Sequence, residues 1–126
     1  MQNNNRLSCL GQNGDGNPEN SYQIIDTYDA NNNQTSEYDQ IYTGGTWVNR
    51  NKTIFTYDIN NNCTNKVSQS GDGSSWKNVT QSNSIYNINN KCTMQTDQVW
   101  DGSSWVNGNQ FTFIYDVNNN LASSTT

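Results

Sequence analysis

Three runs of oxygen-bearing side chains at alternate positions are the part of this sequence best equipped for chemistry: Asp29-x-Asn31-x-Asn33, Asp58-x-Asn60-x-Asn62 and Asp116-x-Asn118-x-Asn120. Such spacing matches positions 1, 3 and 5 of a calcium loop, so calcium is the one cofactor these residues suggest. The sixth position of such a loop needs glycine and the twelfth a bidentate glutamate. Here Gln34, Cys63 and Leu121 stand at the sixth, and Gln40 and Gln69 at the twelfth. The competing reading is a hairpin turn in which asparagine takes the left-handed conformation. A fourth copy, Tyr86-Asn87-Ile88-Asn89-Asn90-Lys91, favours the turn, because it loses the acid and the last asparagine yet keeps the tyrosine and both middle asparagines.

A second set is aromatic. Trp47, Trp76 and Trp105 recur together with Tyr28, Tyr57, Tyr86 and Tyr115, joined by Tyr42 and Trp100. Exposed in a row beside Asn and Gln, they could stack on sugar rings and bond hydroxyls. As the core of the fold they would serve as the main apolar filling, and this second reading is the better fit to a chain that is only 30% hydrophobic. Asp72 and Asp101 could be imagined as paired carboxylates, but repeated acids in repeated turns read as solvated loop residues. The sequence has no histidine, which removes a His-based triad, a His-ligated zinc site and a His general base. With no unique constellation, no catalytic residue is assigned and no enzyme is expected. Four Asn-x-Thr sequons, at Asn33, Asn51, Asn62 and Asn78, are of the frequency that an Asn- and Thr-rich chain yields by chance.

What must position these residues is a repeat. The tyrosines fall at 28, 57, 86 and 115, a constant spacing of 29, and a fixed period in this range marks a repeat architecture. Gln40, Gln69 and Gln98 share a column, as do Gly44, Gly73 and Gly102, the three tryptophans, and Asn49, Asn78 and Asn107. Residues 1–27 form a degenerate first unit or cap, in which Asn3-Asn4-Asn5, Gln12 and Asp15-Gly16 match the later columns at a spacing of 28 and Pro18-Glu19 replaces the tryptophan. Residues 28–126 hold three full units and a partial fourth. Asparagine, 25 of 126 residues, is the commonest type.

Within a unit the period is two. Phe111, Phe113, Tyr115 and Val117 are expected on one strand face, and Phe55, Tyr57 and Ile59 on the equivalent one. Asparagine triplets and Gly-Ser-Ser segments are the turns. Each unit is thus two strands: strand A ends in Tyr-Asp, and strand B follows the asparagine turn, as from Cys92 to Trp100. The fold class is all-β, with tandem two-stranded hairpin repeats making either an extended twisted antiparallel sheet or a β-solenoid-like array. Cys63 and Cys92 share a column and discriminate between the two. A solenoid would stack them one strand spacing apart, whereas a meander separates them by two, roughly 9–10 Å, beyond the reach of a disulfide. Two hairpin-like linkers favour the meander.

The Tyr-Asp-x-Asn-Asn-Asn-x-Thr units resemble the tyrosine–aspartate (YD, or RHS-like) repeats of bacterial surface and toxin proteins. They are more similar still to tandem Tyr-Asp…Gly-Ser-Trp-x-Asn repeats of secreted Bacteroidetes-type proteins. The likeness covers residues 28–121, although the usual YD repeat is shorter and has glycine where this chain has the middle or last asparagine. It implies an extracellular or cell-surface β array serving as wall, stalk or adhesive surface. Six basic residues against eleven acidic ones argue against nucleic acid, and no apolar run is long enough for a membrane span. The expected function is therefore structural: a filament subunit or stalk segment that self-associates, or joins neighbouring repeats, through open β-edges. The alternative is a carbohydrate-binding adhesin module in which glycans stack on Trp47, Trp76 and Trp105.

Overall fold

The computed structural model describes residues 4–11 and 21–126, with side chains at Arg6 and from Ser21 onward. The readings placed on residues 1–3 and 12–20 lie outside the described residues. The described residues form nine strands: β1 (Asn4–Gly11), β2 (Tyr22–Tyr28), β3 (Gln34–Thr43), β4 (Thr46–Tyr57), β5 (Cys63–Gly73), β6 (Trp76–Tyr86), β7 (Cys92–Trp100), β8 (Trp105–Tyr115) and β9 (Leu121–Thr125). They form one open antiparallel sheet in sequence order, β1 to β9. The meander is therefore the fold: β6 lies between β5 and β7, and Cys63 and Cys92 are both free thiols. In the nomenclature of the repeat, β2, β4, β6 and β8 are A strands and β1, β3, β5, β7 and β9 are B strands.

Two compact units divide the chain, Met1–Ile54 with Ser68–Asn78 and Phe55–Val67 with Val79–Thr126. Neither has an apolar interior. Among the described residues no hydrophobic side chain is buried, and the three buried residues are polar: Ser21, Asp26 and Ser36. A sheet without a second layer leaves side chains on each face half-covered by their cross-strand neighbours, so strand pairing replaces a core as the unit of stabilisation. The expectation that the aromatics form a core gives way to half-buried rings packed in pairs.

The Tyr-Asp turn is the joint of every hairpin from A to B. Asp58 N donates to Asn62 O at 3.0 Å and Asn61 N to Asp58 O at 3.1 Å. The same two bonds recur at Asp29, Asn87 and Asp116. The third residue after the acid is left-handed in all four copies: Asn32, Asn61, Asn90 and Asn119 have φ between 58° and 65°. That is the αL residue closing a turn of the common hairpin kind, a conformation asparagine tolerates better than other side-chain-bearing residues. Ile59, Ile88 and Val117 sit at the crown of this turn and are each 97% exposed. They do not join the apolar strand face, because the strand ends at the tyrosine and the acid already begins the turn.

Two bulges recur. Past the asparagine turn, Tyr86 pairs with Cys92 and Ile85 with Met94, skipping Thr93; Tyr115 pairs with Leu121 and Ile114 with Ser123, skipping Ala122. The threonine column sits at this bulge, and its hydroxyls turn to the adjacent strand: Thr64 Oγ1 donates to Thr56 O at 3.3 Å and Thr93 Oγ1 to Ile85 O at 3.2 Å. The second bulge is in the A strand, at Arg50 between the pairs Asp39–Asn51 and Gln40–Asn49, and beside Gly108 between Thr96–Gln110 and Gln98–Asn107. An extra residue shifts the alternation. Asn107 and Gln110 consequently share a face, contacting Gln98 and Thr96 respectively, although they are three residues apart.

Candidate functional site

The face that could bind something is built from one B–A hairpin at a time. In β7–β8, Gln98 Nε2 donates to Asn107 Oδ1 at 2.6 Å, and two positions on, toward the turn, Trp100 meets Trp105 edge-on with ring centroids 5.1 Å apart. In β3–β4 the same positions hold Gln40 Nε2 donating to Asn49 Oδ1 at 2.8 Å and Tyr42 against Trp47 at 5.3 Å. T-shaped pairs of this kind place a positive ring edge on a negative ring face. The third hairpin keeps the amide bond, Gln69 Nε2 to Asn78 Oδ1 at 2.9 Å, but has Gly71 where its neighbours have Tyr42 and Trp100. Trp76 then turns to Tyr38 at 6.1 Å, and the Lys52 ammonium lies 5.6 Å from its ring.

The amides also run between hairpins. Gln23 Nε2 donates to Gln40 Oε1 at 2.6 Å, and Gln81 Nε2 to Gln98 Oε1 at 2.6 Å. Within the β5–β6 hairpin Asn65 Nδ2 donates to Asn83 Oδ1 at 2.7 Å, and Asn83 Nδ2 continues across to Gln98 Oε1 of β7 at 3.1 Å. Each primary amide has donors and acceptors and so passes the chain of bonds onward. The sequence shows the Gln and Asn columns plainly, yet that they bond to each other depends on a register that the A-strand bulge sets.

At the turn end the anchoring group is the tyrosine. Tyr86 Oη donates to Cys63 O at 2.9 Å and Tyr115 Oη to Cys92 O at 2.9 Å. Each tyrosine thereby ties the end of an A strand to the start of the preceding B strand. Burial, then the nearby thiols of Cys92 and Cys63, push the Tyr86 hydroxyl above its ordinary value, which keeps it a donor. Tyr28 and Tyr57 occupy the same strand-end position and are half-buried.

The calcium candidates are turn residues with much of their oxygen committed. Asp58 Oδ1 accepts Asn60 N and Asn62 N, both at 2.9 Å, and Oδ2 accepts Asn62 Nδ2 at 3.0 Å. Asp29 makes the same three bonds with Asn31 and Asn33, and Asp116 with Asn118 and Asn120. The side-chain and backbone donors of Asn33 hold the Asp29 carboxyl below its ordinary value, and those of Asn62 and Asn120 do so for Asp58 and Asp116. In the fourth copy a neutral Asn87 Oδ1 accepts Asn89 N and Lys91 N at 2.9 and 3.0 Å. Charge is thus dispensable to the turn, while the acceptor is not. Successive turns are linked as well, Asn62 Nδ2 to Asn90 Oδ1 and Asn89 Nδ2 to Asn119 Oδ1, both at 2.9 Å.

Asp72 and Asp101 serve their own turns in the same way. Asp101 Oδ1 accepts Ser103 N and Ser104 N at 2.8 Å, and these N–H donors hold its carboxyl down to about 2. Asp72 is likewise lowered, first by the Ser75 N–H. Neither is placed as a proton donor near neutral pH, and among the described residues no three Cys, Asp or Glu side chains gather at one point. A shallow groove of about 270 Å³ lies beside Gly108, with the Asp97 carboxylate in its wall bonded by Ser82 Oγ at 2.7 Å and Gln95 Nε2 at 2.9 Å.

Set beside known families, characterised proteins and solved structures, the chain has no significant match. Among the described residues no helix is long and apolar enough to cross a membrane.

Proposed function

We propose that this chain is a non-enzymatic structural repeat protein of the cell surface or extracellular space, a stalk segment or filament subunit that gains length by adding strands to an open sheet. The observation that carries this reading is the satisfaction of its repeated polar groups by one another. Gln, Asn and Tyr side chains bond to the neighbouring strand or turn of the same sheet, and the turn aspartates to their own turns, in a pattern that any further copy could continue. A site for a soluble substrate is normally singular, concave and furnished with convergent polar groups left for a ligand. Here the polar groups are spent on lengthening. In one-dimensional repeat proteins stability grows with copy number, because each added unit brings one more interface.

A length series tests this. Chains with one, two and three additional 29-residue copies are expected to unfold at successively higher denaturant concentration, rising toward a plateau. A midpoint independent of copy number, together with a shift of tryptophan emission on adding glycans, would instead establish the adhesin reading through Trp47, Trp76 and Trp105.

A further inference from the structure

We infer that the groove beside Gly108, on β6, β7 and β8, recognises the guanidinium group of an arginine side chain carried by a partner protein, a role additional to the structural one above. The internal repeat supplies the template. Asp39 of β3 and Asp97 of β7 share a column, and so do Arg50 of β4 and Gly108 of β8. In β3–β4 the bulged residue is Arg50; its Nε lies 3.9 Å from Asp39 Oδ2, to which Asn51 Nδ2 donates at 3.5 Å. The middle copy has Ser68 and Val79 in these two columns, so acid and base are lost together. Of these three copies, only β7–β8 keeps the acid without the base.

Where Arg50 has its side chain, Gly108 has none, and the surface there is a groove of about 270 Å³ walled by Thr80, Ser82, Asp97, Val99 and Asn109. Ser82 Oγ and Gln95 Nε2 both donate to Asp97 Oδ1, at 2.7 and 2.9 Å. Among the described residues no donor reaches Asp97 Oδ2, and no cation pairs with this carboxylate. The acid is thus oriented by its strand neighbours and keeps one oxygen for a charged donor, an exception to the mutual satisfaction of the repeated polar groups. Asn109 stands in the column of Asn51, and its amide oxygen and the Thr80 hydroxyl add neutral acceptors. A guanidinium offers five donors in a planar fork and is more weakly hydrated than an ammonium, so it suits a carboxylate with flanking acceptors better than lysine does. So open and small a groove cannot bury a drug-sized ligand, which favours a side chain held on a larger partner surface. A net charge of −5 also raises the local concentration of cationic partners.

The test is an NMR titration of the isotope-labelled chain with a blocked tripeptide, acetyl-Gly-Arg-Gly-amide. Saturable shifts are expected at Ser82, Asp97, Gly108 and Asn109, while the amides around Asp39 stay unmoved because Arg50 already holds that carboxylate. Asp97→Asn keeps an acceptor for Ser82 and removes the charge, and should weaken binding by about tenfold, the loss of one charge-assisted hydrogen bond. Gly108→Arg supplies the guanidinium from within the chain and should abolish the shifts; its Cβ would stand 3.2 Å from the Asp97 carbonyl oxygen, so the hairpin must give slightly. Should that variant fail to fold, Asp97→Asn decides alone. The same peptide with citrulline, neutral but of similar shape, should give no saturable shift, and one with lysine should bind more weakly than arginine. Absence of saturable shifts at the groove would overturn the inference, as would equal binding of the citrulline or lysine peptide, or unchanged binding to Asp97→Asn. Shifts of the same residues on raising the protein concentration alone would overturn it too, by making a second copy the occupant. The length series reads none of these outcomes, so the structural role stands or falls separately.

Discussion

At the scale of the residue, the acid of the Tyr-Asp turn acts through its oxygen first and its charge second. Asp58 and Asn87 occupy equivalent positions and accept equivalent backbone N–H groups, at 2.9 Å each from Asn60 and Asn62 and at 2.9 and 3.0 Å from Asn89 and Lys91. The carboxylates are nonetheless shifted downward in their turns. A group whose folded pKa is depressed adds stability above its unfolded value and loses it as pH falls through the folded value. For Asp101 that loss runs from 3.8 down to about 2. Asp58→Asn is therefore expected to lower the unfolding midpoint at pH 7, and the gap to wild type should narrow as pH falls below the ordinary carboxylate range and the Asp58 carboxyl takes up its proton. Midpoints measured from pH 7 to pH 2 should converge; parallel curves would mean that the Asp58 charge contributes nothing.

At the scale of the element, the hairpin was legible in the sequence and its twist of register was not. Invariant spacing of Tyr28, Tyr57, Tyr86 and Tyr115 marks the strand ends, and asparagine's tolerance of positive φ marks the turn; β7 spans Cys92–Trp100 as the pattern predicts. Alternation alone fails at the two bulges, because one extra residue inverts the faces beyond it. That is why Trp105 and Asn107 share a face with Gln110 rather than with Phe111. It fails again at Ile59, Ile88 and Val117, whose apolar character reads as strand although the turn has already begun. Gly71 is the other silent position. It stands in the column of Tyr42 and Trp100, and a Cβ there would collide with the Asn49 carbonyl and lie 2.7 Å from its Cβ. Gly71→Ala should destabilise the protein by about 1–3 kcal/mol in urea unfolding, as overpacking does elsewhere. A neutral substitution would show that the β4–β5 contact relaxes freely.

At the scale of the molecule, the fold replaces a core with repetition. Most domains bury a hydrophobic layer between two packed elements, whereas here no described apolar side chain is buried and the rings are half-covered by their cross-strand partners. Composition already pointed this way, since 30% hydrophobic residues cannot fill an ordinary interior. What composition could not reveal is that amide-to-amide bonds and tyrosine clasps would take over the cross-strand role, since each depends on register. Such a design gives each of β3, β5 and β7 two A-strand neighbours, so that every B strand inside the sheet is paired along both edges. The most direct test of a sheet that stands without a core is the heat-capacity change on unfolding, measured by calorimetry. Globular domains give about 12–15 cal/mol/K per residue, because unfolding exposes buried apolar surface. This protein should give a value well below that range, and a value within it would contradict a structure held by strand pairing alone.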